Sequence, residues 1–127
     1  MTILSNARVI VALRDPELND VDLQELTQNL RQQIAELDGV YQADLVAVEN
    51  PPEGSKAIGG YLLGSLKAEV NPANIKSLFS FLTNRLSGKT IKMSVETPDG
   101  RKLNIEASSQ IEFEFAMKQA NDFIAGK

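Results

Sequence analysis

The chain has 127 residues, 43% of them apolar, with a net charge of −4 and a sequence pI near 4.8. A single domain over residues 1–127 is expected, with enough apolar content for one core and no need of a disulfide or metal to hold it. An acidic balance disfavours long-range attraction to nucleic acid or anionic lipid, and a sequence without histidine or cysteine lacks the usual Ser-His and Cys-His nucleophile systems and ordinary zinc sites.

The start, Met1-Thr-Ile-Leu-Ser-Asn6, has neither the charged opening nor the apolar run of a secretion signal. The longest mostly apolar stretch, Ala57–Leu66, is about half of what a membrane span needs. A cytoplasmic protein without membrane contact is the expectation.

Arg8–Arg14 is a β-branched run that reads as a strand buried on both faces, broken by Asp15-Pro16. Asp22 and Glu25 then form a capping-box-like pair. Leu23, Leu26, Leu30, Ile34 and Leu37 repeat at three- and four-residue steps, the apolar stripe of an amphipathic helix that stops at Asp38-Gly39, with Gly39 left-handed. Val40–Glu49 reads as a second strand, and a right-handed crossover would make it parallel to the first. Asn50–Ser55 is a loop by composition.

Ala57–Val70 is ambiguous. Its leucines favour helix, while Gly59, Gly60 and Gly64 weaken one. Asn71-Pro72 supplies a cap and a first helical proline, and Ile75, Leu78, Phe79, Leu82 and Leu86 mark a second amphipathic helix. Ile91, Met93 and Val95 alternate with Lys92, Ser94 and Glu96, then Leu103, Ile105 and Ala107 with Lys102, Asn104 and Glu106. Around the Pro98-Asp99-Gly100 turn this is an antiparallel hairpin with one dry and one wet face. Ser109 and Glu112 cap a closing helix whose apolar side is Phe113, Ala116, Met117, Ala120, Phe123 and Ile124.

The expected class is therefore α+β: a two-layer sandwich in the order strand, helix, strand, helix, helix, strand, strand, helix, with helices on one side of a four-stranded sheet. Ferredoxin-like is the best expectation for its strand topology.

Three motifs imitate chemistry without supplying it. Gly88-Lys89-Thr90 matches the end of a phosphate-binding loop, but the upstream glycine would fall at Thr83 and the tripeptide joins helix to strand, the reverse of what the motif needs. Asp15-x-Glu17-x-Asn19 resembles a calcium loop, but Asp20 stands at the sixth position and Leu26 at the twelfth. Glu112 and Glu114 point to different sides of a helix and make a poor acid/base pair. The basic groups Arg85, Lys89 and Lys92, then Arg101 and Lys102, read as solvated faces and a helix end. No catalytic residue, cofactor or metal site is expected.

The segment with positive interest is Ser55–Val70, with Gly60-x-x-x-Gly64 inside it. One reading is a core helix packed tightly on its neighbours. The other is an apolar face offered to a partner, with Tyr61, Leu62, Leu63, Leu66 and Phe81 as its candidate residues. Two further amphipathic helices compete for the same sheet face, so the excess apolar surface points to a protein contact, most simply a two-fold homodimer.

The layout resembles the type-one effector-associated constant component family of bacterial conflict systems. The resemblance runs over nearly the whole chain: Leu37-Asp38-Gly39-Val40, the Pro51-Pro52-x-Gly54-x-Lys56 loop, the small-residue apolar middle, the Ile91–Val95 strand, the Asp99-Gly100-Arg101 turn, Leu103–Ala107 and Ser108-Ser109-x-x-Glu112. Lys67 and Glu69 depart from it, since relatives are often more hydrophobic there. The resemblance implies a non-enzymatic component that works beside a variable effector protein, probed first through the genes next to its own. A small-ligand sensor is the alternative, and would require a concave apolar pocket with convergent polar groups.

Overall fold

The computed structural model describes residues 6–50, 56–86, 89–96 and 101–107, and positions 112, 114, 115, 118, 119, 122 and 123. In chain order these form β1 (Ala7–Arg14), α1 (Asp20–Ala35), β2 (Val40–Ala47), β3 (Ala57–Ile58), β4 (Tyr61–Val70), a 3-10 turn (Pro72–Asn74), α2 (Ile75–Arg85), β5 (Thr90–Glu96) and β6 (Lys102–Ala107).

The sheet has six strands in the order β2-β4-β1-β5-β6, with β3 paired to the start of β4. Every neighbouring pair is antiparallel. β1 and β2 thus run the same way with β4 between them, and β4 and β5 run the same way with β1 between them: two interlaced split β-α-β units.

This overturns the expected four-stranded, four-helix sandwich. The middle segment is strand, not helix. From Leu66 to Val70 the chain alternates, with Leu66, Ala68 and Val70 buried and Lys67 and Glu69 exposed. Period-two burial between two partners outweighs the helical propensity of leucine, alanine and glutamate. With Ala57–Val70 in the sheet, the helical pair disappears. Among the described residues only α1 and α2 are complete α-helices. The described positions of the closing segment are helical. Its expected apolar residues Phe113, Ala116, Met117, Ala120 and Ile124 lie outside the described residues, as do Ser109 and the Pro98–Gly100 turn.

β1 is central but not buried on both faces. Val9, Val11 and Leu13 face the core while Arg8, Ile10 and Arg14 are exposed. The core joins these to Leu30 and Ile34 of α1, Phe79 and Leu82 of α2, and Ile91 and Val95 of β5. Both helices therefore cover one face, with α1 over β2 and β4. Arg85 Nε donates to Gln33 Oε1 at 2.9 Å, tying the two helices together.

Helix α1 starts earlier than the capping-box reading. Asn19 is its cap, accepting from the Asp22 N–H at 2.8 Å, so Asp22 lies in the first turn. Gly39 is left-handed at φ 82° and sits where any Cβ would overlap the Asn74 side chain. It lies beyond the C-cap residue Glu36 because the helix stops at Ala35. Asn71 caps the 3-10 turn, accepting from the Ala73 N–H at 3.0 Å, with Pro72 as its first residue.

Candidate functional site

Two surfaces follow from this architecture, and one irregularity shapes the first. β4 keeps a constant register with β1 from Ala7↔Val70 to Ala12↔Ser65. Against β2 it pairs Leu45 with Leu66 and then Ala47 with Tyr61, so β4 carries extra residues over Leu62–Ser65. This is an extended bulge, the device that bends a strand and re-aims its side chains. Gly64 makes it possible. Its φ is 74°, and a Cβ there would stand 2.7 Å from the Leu13 carbonyl oxygen. Its N–H, released from the ladder, donates to Gln24 Oε1 of α1 at 2.9 Å. A helix side chain thus satisfies the freed donor and pins the bulge.

Beside the bulge lies a cleft of about 620 Å³ between the end of β1, the start of α1 and β4. Leu13, Leu23, Leu62 and Leu63 give it apolar walls. Arg14, Lys56, Lys92 and Asp20 stand at it as well. Lys56 Nζ lies 3.5 Å from Asp20 Oδ2 in an exposed, loose pair.

The second surface is the sheet face that no described helix covers. Arg8 stands opposite Glu69 on one side and Glu96 on the other, and Glu96 opposite Lys102. Arg8–Glu96 and Lys102–Glu96 each close to 3.7 Å, and Lys92–Glu106 to 3.9 Å. These exposed pairs contribute little stability but set a neutral, alternating charge pattern. Ile10 sits in the middle of that pattern, 39% exposed. Shallow depressions of about 370 and 460 Å³ lie beside it, both partly lined by Ile10.

The five residues singled out from sequence divide. Leu66 is fully buried, so it belongs to the core and cannot serve a surface. Phe81 is half-buried on α2 and packs against the core, well separated in the chain from the bulge. Leu62 and Leu63 line the cleft, and Tyr61 stands 41% exposed at the start of β4, paired with Ile58. The face imagined for a pair of helices is thus dispersed. The structure instead brings Leu62 and Leu63 together with Arg14, Lys56 and Lys92. Sequence reading missed that cation set because its members come from β1, the approach to β3, and β5. Ile10 was missed because it was taken into a doubly buried strand.

The imitated motifs resolve into local structure. Asp15 Oδ1 accepts from the Glu17 N–H at 3.0 Å, and Asp15 Oδ2 accepts from Lys89 Nζ at 2.5 Å. That contact, first of all, and the Glu17 N–H hold the Asp15 carboxyl below its ordinary value of 3.8. Lys89 is therefore committed to the turn after β1, and Asn19 to capping α1. Among the described residues no group of three or more acidic side chains is gathered to hold a metal ion.

No protein-family model matches the chain, no curated protein matches its sequence, and no solved structure matches its fold. No helix among the described residues is long and apolar enough to cross a membrane, which says nothing of strand-built membrane proteins.

Proposed function

We propose that this chain is a non-enzymatic, cytoplasmic interaction component that works beside an effector protein in a bacterial conflict system. The observation that carries this reading is the sheet face that no described helix covers, where Ile10 stands as an apolar centre within ordered, mutually neutralised charges. A central apolar residue ringed by polar ones is the anatomy of a protein contact. The sequence motifs that resemble the effector-associated family, and a sequence without histidine or cysteine, support it further.

The partner in this reading is the product of an effector gene beside the chain's own gene. A second copy of the chain is the competing occupant of the same face. Binding of the purified neighbour to the purified chain, followed by calorimetry, tests it. Ile10→Asp should weaken binding by at least about tenfold, as loss of an interface centre does, without changing the circular dichroism spectrum. Undiminished binding by the variant removes this face. Absence of binding to any neighbouring gene product, with a dimer in light scattering, replaces the effector by a second copy; a monomer that binds no neighbour removes the adaptor reading.

A further inference from the structure

The cleft at the β4 bulge departs from the rest of the molecule in charge. The chain carries −4 overall, yet at this cleft three cations, Arg14, Lys56 and Lys92, face a single carboxylate, Asp20. Two of the cations have distant, exposed partners: Lys56 lies 3.5 Å from Asp20 and Lys92 lies 3.9 Å from Glu106. Arg14 has no ion-pair partner among the described residues and is exposed. Its guanidinium presents the planar fork that suits carboxylate and phosphate oxygens.

The other half of the cleft is apolar. Leu62 and Leu63 are only half-buried, and they are held there by a backbone bulge that requires glycine at φ 74°. The extra residues of β4 lie opposite β2, and they place Leu62 and Leu63 beside the end of β1. The volume, about 620 Å³, falls in the range of small-molecule sites.

We propose that this cleft binds a small molecule with an anionic head, carboxylate or phosphate, on a short apolar body. Arg14 meets the head, Lys92 and Lys56 add charge from either side, and Leu62 and Leu63 take the body. The cleft shares Ala12 and Lys92 with the surface around Ile10, but Arg14, Lys56, Leu62 and Leu63 lie outside it, so either proposal stands if the other fails.

The test is an amide NMR titration of the full chain with octanoate and octyl phosphate, alongside inorganic phosphate and octylamine. Octanoate or octyl phosphate should cause saturable shifts centred on Arg14, Leu63 and Lys92. Binding of octyl phosphate alone assigns a phosphate head and of octanoate alone a carboxylate, and both outcomes support the site. Arg14→Gln should weaken binding by about tenfold, the usual effect of losing one charge-assisted hydrogen bond. Lys56→Glu should weaken it too, on a different element. Both side chains are exposed, so the folded spectrum serves as the control. Equal binding of octylamine overturns the anionic head, and equal binding of inorganic phosphate overturns the apolar body. No saturable shift at millimolar concentrations, or shifts unaffected by both variants, overturns the site.

Discussion

Leu30 occupies the middle of the α1 stripe and is 1% exposed. Its replacement by alanine should cost about 2–5 kcal/mol, the range for a well-packed leucine whose site cannot collapse. The readout is a lower denaturant midpoint at unchanged slope. Asp15 gives a prediction in pH. Its folded carboxyl titrates below 3.8 because Lys89 holds the charged form, so its contribution is present above that value and is lost as pH falls through the lowered one. The gap in denaturant midpoint between the native chain and Asp15→Asn should therefore be constant from pH 7 down to pH 5 and close below 3.8. Leu30 was legible from sequence because helical spacing repeats around it. The Asp15–Lys89 pair was not, since nothing local links the turn after β1 to the approach to β5.

At the scale of elements, the informative case is β4. Leu66-Lys67-Ala68-Glu69-Val70 carries an alternation visible in the sequence, but Gly64 and the bulge break the pattern just before it. Over the whole of Ala57–Val70 the strand signal is therefore diluted, and leucine-rich composition pulls towards helix. Lys67 and Glu69, odd on an apolar helix, are ordinary on the wet side of a strand. α1, α2 and the β5–β6 hairpin were legible because each keeps one period from end to end. Gly64→Ala should cost roughly 1–3 kcal/mol, since alanine must adopt a left-handed backbone against the Leu13 carbonyl. Thermal unfolding measures the loss. The same variant should change the amide shifts of Leu13 and Gln24, which touch the bulge from either side.

At the scale of the whole molecule, α1 and α2 cover one face of the sheet and no described helix covers the other. The covered face carries the core, and the open face is free to carry pattern. Ile10→Asp should therefore leave stability within about 0.5 kcal/mol, as surface changes generally do, while altering association. A much larger loss in denaturant unfolding would place Ile10 in the core and end its use as a contact. Strand order could not be read from the sequence, because register is fixed by partners distant in the chain and no residue spells out which strands meet.

The interlacing of the two β-α-β units also governs how the molecule comes to exist. β1 is made first among the described strands, but its nearest pairing joins Ala12 to Ser65, and its other edge waits for Thr90 to reach Arg14. On the ribosome, the future centre of the sheet thus waits with two unsatisfied edges until β4 emerges and with one until β5 does. Neither half of the chain can close around it alone, since the strand inserted into each unit belongs to the other unit. Assembly then has the character of a clasp: the early strand stays open until the late one arrives, and folding proceeds through long-range closure.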